Sequence, residues 1–328
     1  MLNKFVSIIG PTAVGKTGFT FKLVDHLQQY ISESDYQGIN IISADSRQVY
    51  KDLMITSGAD IPSNFDDHGQ YFIKDNIRLY GLLKLDYTEE WSLAHFKIFA
   101  EKLILNSWQE NRLPIIVGGT GLYHEHLFND SQSIWIKPNE ELRAELKDLS
   151  LAKLQDMLKE VDQLKFEEMN NSDQNNPVRL IRAIEVAKGK DKNKLLKKYN
   201  QNNNVEFKQL VIGLIDKLEN IEQKIRLRVE ERFENGSLAE VESLGELIRE
   251  SGLNKQITTA TGVKEIMSYL DNQISKEVCL EKWSLREYQY SKRQITWWKH
   301  KENVNWFEIS QRDWQKNAFK IVREFVLS

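Results

Sequence analysis

Gly10-Pro11-Thr12-Ala13-Val14-Gly15-Lys16-Thr17, GPTAVGKT, stands between an apolar run, Phe5–Ile9, and a segment of helical periodicity, Lys16–Gln29. A glycine-rich turn joining a strand to a helix points backbone N–H groups at phosphate oxygens and adds the positive end of the helix. Lys16 contributes a full charge, and the Thr17 hydroxyl is placed to ligate a Mg2+ shared with the phosphates. A simple tight turn would explain the glycines but not the Lys-Thr pair. The stretch predicts a phosphate-binding loop. Nucleotides are the ordinary guests of such loops, yet other diphosphates have the same shape and charge.

Outward from the loop, strand-like runs at Ile39–Ser43 and Pro114–Val117 alternate with helical segments at Lys16–Gln29 and Ser92–Glu110. Short strands are expected near Tyr71–Lys74 and Ile77–Leu83. Strands alternating with helices imply an α/β fold, a parallel sheet flanked by helices as in P-loop proteins. From Asn139 to Tyr199 the pattern is helical only, and a strand at Phe207–Leu214 then returns the chain to the sheet. Helices follow at Leu218–Glu234, Ser237–Ser251 and about Ser275–Lys301. The expected organisation is a core over 1–130, an all-helical insertion over 131–204, and a return to the core over 205–328.

The 328 residues carry 45 Lys and Arg against 48 Asp and Glu, a net charge of −3, so any nucleic-acid surface must be local. Cys279, the only cysteine, excludes an internal disulfide or a multi-cysteine zinc site. No apolar run reaches membrane-spanning length, and the first strand begins at once without a leader pattern, so a cytoplasmic protein with no membrane partner is expected.

A nucleoside triphosphatase of this class carries an acid at the end of a second strand to help hold the metal. Here Pro114–Val117 ends in Gly118-Gly119-Thr120-Gly121. The other strand end, after Ser43, delivers Ala44-Asp45-Ser46-Arg47-Gln48. Ligands lie beyond the carboxyl ends of parallel strands, so Asp45 is the acid aimed at the crevice. It could hold metal through water, take a proton from an acceptor nucleophile, or cap a helix beginning near Ser46. Further along, REYQYSKRQITWWKHK at 286–301 has five basic residues against one acid, interleaved with Tyr288, Tyr290, Trp297 and Trp298. Such a mixture suits single-stranded nucleic acid, though at least one of the two tryptophans should be core.

GPTAVGKT, SADSRQVYKDL, PIIVGGTGLY, NPVRLIRAIEV and SKRQITWW, in this order, resemble the tRNA dimethylallyltransferase, or tRNA isopentenyltransferase, family. The resemblance runs from Ser7 to about Phe307. It implies a monomeric enzyme that moves a dimethylallyl group from dimethylallyl diphosphate to the exocyclic amine of the adenine beside the anticodon of tRNA. Gly10–Thr17 would then hold the donor diphosphate, with Thr12 and Lys16 in the catalytic machinery and Mg2+ at Thr17. Asp45 corresponds to the general base and Arg228 to an arginine on the diphosphate. Contacts with the tRNA anticodon stem-loop would come from Asp45, Ser46, Arg47, Gln48 and Thr120. Further contacts correspond to Arg143 and the run Val178, Arg179, Leu180, Ile181, Arg182 in the insertion. Thr259, Gly262 and Lys264, then Lys292, Arg293, Gln294, Thr296, Trp297 and Lys299, complete the set. The Lys-rich stretch 188–198 could add phosphate contacts. The chain departs from the family pattern at Thr56–Asp60, where a basic residue and a proline are replaced, at Leu79–Gly81, and at Glu287-Tyr288, where a Thr-Arg pair is usual. From the residues alone, a small-molecule kinase with Asp45 as base is an alternative, and the resemblance implies a nearer one, an adenylate isopentenyltransferase.

Overall fold

The computed structural model describes residues 3–129, 132–189, 205–251 and 255–328. The helical pattern and Lys-rich stretch beyond Gly189, and the polar linker 200–204, lie outside the described residues. The chain divides into two compact units, one of Met1–Leu127 with Glu206–Ser328 and one of Phe128–Val205.

In the larger unit β1 (Asn3–Ile9), β2 (Gly38–Ser43), β3 (Asp66–Asp67), β4 (Phe72–Lys74), β5 (Ile77–Tyr80), β6 (Arg112–Val117), β7 (Phe207–Ile215) and β8 (Val304–Glu308) form one sheet. The order is β3-β4-β5-β2-β6-β1-β7-β8. From β5 to β8 every pairing is parallel, and β3 and β4 extend the edge antiparallel. β2 and β6 are buried along their whole length, as parallel strands covered on both faces must be.

Among the described residues the α-helices of five residues or more are α1 (Lys16–Gln28), α2 (Leu93–Gln109), α3 (Gly121–Glu125), α4 (Glu140–Leu146), α5 (Leu151–Glu168), α6 (Pro177–Gly189), α7 (Leu218–Arg232), α8 (Leu238–Ser251), α9 (Val263–Leu270), α10 (Lys276–Lys299) and α11 (Trp314–Leu327). α1 and α11 pack Phe19, Leu23, Leu27, Ala318 and Val322 against Val6, Ile8 and Ile115 of the sheet. α2 starts at a Ser92–His95 capping box and buries Phe96, Ala100 and Ile104. α7, α8, α9 and α10 share a second core built on Ile221, Ile225, Val241, Ile266 and the fully buried Trp283. The smaller unit has its own core of Leu142, Leu154, Leu158, Leu180 and Ile184 from α4, α5 and α6.

The expected strand over 77–83 stops at Tyr80, because Gly81 (φ 80°) and Leu83 (φ 49°) turn the chain out of extended conformation. The two helices expected over 218–251 are joined through a π-type turn, Phe233–Ser237, kinked at Gly236 (φ 116°). β3, β8 and α11 had no counterpart in the sequence pattern.

Candidate active site

β2, β6 and β1 are sheet neighbours, so three carboxyl ends open side by side. They carry Asp45, Gly118-Gly119-Thr120 and the Gly10–Thr17 loop. The Ala44 amide donates to Val117 O (2.7 Å) and the Gly118 amide to Ile8 O (3.1 Å), locking the three ends in register. Above them lies a cleft of about 550 Å³, the size of a small-ligand site.

The loop occupies the floor of this cleft. Gly10 has φ 145°, and a Cβ there would stand 2.4 Å from Leu214 O, so no other residue fits. Gly15 (φ 92°) precedes α1 in the left-handed region, and no side chain caps the helix or places an acid in its first turn. Its leading N–H groups therefore remain available to an anion. Pro11 and Val14 are buried, while Thr12, Ala13, Gly15, Lys16 and Thr17 line the cleft. Lys16 Nζ folds back to donate to Pro11 O (2.7 Å), and the Thr12 amide donates to Gln294 Oε1 (2.8 Å). Burial lowers the Lys16 ammonium to about 8; Asp45 opposes the shift and Arg228 adds to it.

Asp45 Oδ1 accepts from the backbone amides of Arg47 (2.8 Å) and Gln48 (3.4 Å). The capping alternative is thus half right in kind, since one oxygen anchors a turn, but no helix begins at Ser46. Oδ2 has no hydrogen-bond partner among the described residues, and the side chain lines the cleft. Ser46, Arg47 and Gln48 line it too. Arg47 reaches Thr259 Oγ1 (3.3 Å), whereas the Gln48 amide is held between Ser43 Oγ (3.1 Å) and Gly58 O (2.9 Å), a bracing role.

α7 and α10 supply the far wall. Arg228 points into the cleft with NH2 3.6 Å from Asp60 Oδ2. One turn on, Arg232 donates to Thr56 O (2.9 Å) and Glu287 Oε1 (2.6 Å) and lies over the Trp283 ring, whose Nε1 also donates to Glu287 (2.9 Å). The Thr120 and Tyr290 hydroxyls are 3.4 Å apart, and burial, then the Asp45 charge, raise the Tyr290 phenol. Gly119 and Gly121 let α10 come close. A Cβ on either would be 2.1 Å from Gln294 Nε2 or from Trp297 Cδ1.

The other expected tRNA-contact positions separate into groups. Lys264, Lys292, Arg293, Thr296 and Lys299 are exposed, and the four basic ones pair with no carboxylate among the described residues. Lys292 and Arg293 instead lie over the rings of Tyr288 and Tyr290, both 5.6 Å away. Trp297 is half-buried beneath Lys301, and Trp298 is the core member of the pair. Gly262 (φ 94°) is buried against Trp283, where a Cβ would be 2.6 Å from the ring, so it shapes the wall.

In the smaller unit Arg143 grips the buried Glu185 through Nε (2.7 Å) and NH2 (2.9 Å), and Arg182 adds a third contact (3.2 Å). Burial works to raise the Glu185 carboxyl, but these bonds and the Asn139 amide hold it below its usual range. Leu180 is fully buried and Ile181 partly so, which makes Leu180 a packing residue; Val178 and Arg179 are exposed, and Arg179 pairs with Asp173.

Sequence reasoning missed Asp60, Arg232, Arg286, Glu287 and Tyr290 as cleft residues. A signal existed for the last three, which lie in the basic aromatic stretch; Asp60 showed only as a departure from the family pattern, and Arg232 only as one of several charges on an expected helix. No group of three His, Cys, Asp or Glu side chains among the described residues could hold a metal unaided. The cleft's hard oxygens, the Thr17 hydroxyl and the Asp45 and Asp60 carboxylates, fit a Mg2+ that takes most of its ligands from a diphosphate and water.

The chain matches the family model for IPP transferase over residues 48–301. It is 32% identical to a tRNA dimethylallyltransferase of Anoxybacillus flavithermus, over 94% of this chain and 92% of that one. It resembles the solved full-length tRNA isopentenylpyrophosphate transferase of Bacillus halodurans, with 28% identity and a TM-score of 0.65, over 99% of this chain and 95% of that one. A eukaryotic dimethylallyltransferase solved while acting on tRNA shares the fold, with a TM-score of 0.74 at 23% identity, over 99% of this chain and 79% of that one. The chain belongs to the IPP transferase family.

Proposed function

We propose that this protein transfers a dimethylallyl group from dimethylallyl diphosphate to the exocyclic amine of the adenine 3′ to a tRNA anticodon, releasing diphosphate. The observation that carries this reading is the Asp45 carboxylate, with one oxygen unengaged among the described residues, opening into the same cleft as the phosphate loop.

The loop amides, the start of α1, Lys16 and Arg228 receive the diphosphate. As the donor's C–O bond breaks and the new C–N bond forms, negative charge gathers on the leaving diphosphate, where these groups already stand. Bound Mg2+, held through Thr17, would supply further charge neutralisation of the diphosphate. An aromatic exocyclic amine is a poor nucleophile, and Asp45 Oδ2 takes its proton as the bond to carbon develops. Asp45 Oδ1, fixed by two amides, keeps the carboxylate in place for that task.

The target adenine must leave its stack to reach this cleft. Tyr290 and Arg47 line the cleft with Asp45, the Thr120 hydroxyl lies 3.4 Å from that of Tyr290, and Lys264, Lys292 and Lys299 offer charge unpaired among the described residues to an RNA backbone. Those lysines support tRNA over a free nucleotide as acceptor. The protein acts as a monomer in the cytoplasm, where tRNA is found.

The acceptor is tested by offering the purified protein dimethylallyl diphosphate with either an anticodon stem-loop or AMP. Prenylation of the stem-loop and not of AMP is expected. Equal transfer to AMP would contradict the tRNA assignment, and phosphate transfer from ATP without prenyl transfer would move the protein to the kinase class.

A further inference from the structure

The reaction as derived gives Asp60 no task, although its carboxylate lies in the donor half of the cleft. Asp60 follows the one-turn helix Met54–Ser57, which Gly58 (φ 65°) ends in the left-handed region. The turn is firm: the Ala59 amide donates to Met54 O (2.9 Å), and Gln48 Nε2 to Gly58 O (2.9 Å). Asp60 Oδ2 lies 3.6 Å from Arg228 NH2, with the carboxylate 70% exposed. Asp60 and Thr17 line the main cleft together, and together they also line a narrow recess beside it, with Ser43 and Gln48. β6, the strand whose end would ordinarily bring an acid toward Thr17, ends in glycines instead.

A carboxylate in this position opposes a diphosphate in two ways. It competes for Arg228, and it repels the arriving anion. Both effects reverse when a divalent cation lies between the two anions. Mg2+ requires six oxygens and in phosphate sites takes them from one or two protein groups, the phosphates and water. Thr17 alone is a neutral ligand; Asp60 would add the negative charge such sites carry.

We propose that Asp60 joins Thr17 in the Mg2+ site and makes donor binding conditional on the cation. Without metal, Asp60 holds Arg228 and disfavours the diphosphate. With metal, Asp60 turns to the cation, directly or through one bound water, and Arg228 is released to the diphosphate. This rests on the cleft being the diphosphate site proposed above.

The test is calorimetric titration of the full-length protein with inorganic pyrophosphate, in excess EDTA and in excess Mg2+, comparing the parent with Asp60→Asn. Removing the charge should tighten metal-free binding by about fivefold, the effect of one unit charge across about 4 Å of water. In Mg2+ the same substitution should weaken binding by a similar factor. The opposite signs are the signature, because a residue that only repelled the ligand or shaped the loop would shift both affinities the same way. Shifts of one sign in both conditions, or none in either, would overturn the role given to Asp60. If the parent failed to bind pyrophosphate with and without Mg2+, the diphosphate reading of the cleft would fall, and this inference with it.

Discussion

In the proposed reaction Asp45 works through both oxygens, one tied to the turn amides and one left for the acceptor. Asp45→Ala should lower prenyl transfer by at least about a thousandfold, within the range general-base catalysis supplies. It should leave tRNA affinity within about threefold, and a gel-shift titration beside single-turnover kinetics separates the two. Parental transfer by this variant would remove Asp45 as the base. Lys16 makes a prediction in pH. Its ammonium is lowered to about 8 in the free cleft, so the charge is present below pH 8 and disappears as pH rises through it. A bound diphosphate favours the charged form and restores it, so binding above pH 8 should take up a proton, and affinity should fall as pH rises. Calorimetry in buffers of different ionisation enthalpy reads that proton directly; equal heats in all buffers would contradict it. At this scale the sequence carries most of what is contiguous. The loop residues are contiguous and carry a mechanism, and Asp45 stands at a legible strand end, whereas Arg232 and Asp60 enter the cleft from segments that no strand end or motif marks.

The site depends at the next scale on how α10 seats against the strand ends. Gly121→Ala would set a Cβ 2.1 Å from the Trp297 ring, which is too large to slip aside. The cost should be about 1–3 kcal/mol, read as a lowered Tm. Arg232 and Glu287, both nearly buried, join α7 to α10 beside the cleft. Glu287→Ala would leave the guanidinium without its carboxylate and should destabilise by about 3–5 kcal/mol in a denaturant titration; a change below about 1 kcal/mol would show that the pair does not brace the wall. The helices themselves were legible because their apolar residues recur at three- and four-residue spacing. β8 was not, since Val304–Glu308 is a short, half-exposed edge strand with no alternation to mark it. The roles of Arg143 and Arg182 were also hidden. Sequence shows their charge, but not that a buried Glu185 between them would engage it.

Over the whole molecule the charge balance is slightly acidic, so association with RNA must come from placement. Lys264, Lys292 and Lys299 are exposed and pair with no carboxylate among the described residues. Changing all three to Glu should weaken tRNA binding and reduce its log–log salt slope by about one for each phosphate no longer neutralised. Pyrophosphate affinity should be unchanged, because none of the three lines the cleft. An unaltered salt slope would place the RNA surface elsewhere. The parallel sheet was readable from the alternation of strands and helices. Its strand order was not, since nothing local in Ile39–Ser43 says that it pairs with β5 and β6. That order matters most, because it brings the phosphate loop and Asp45 to one cleft. The most direct measurement is mass analysis of tRNA after incubation of the purified protein with dimethylallyl diphosphate and Mg2+. One dimethylallyl group on the adenosine 3′ to the anticodon is the predicted result, and unmodified tRNA under every metal condition would contradict it.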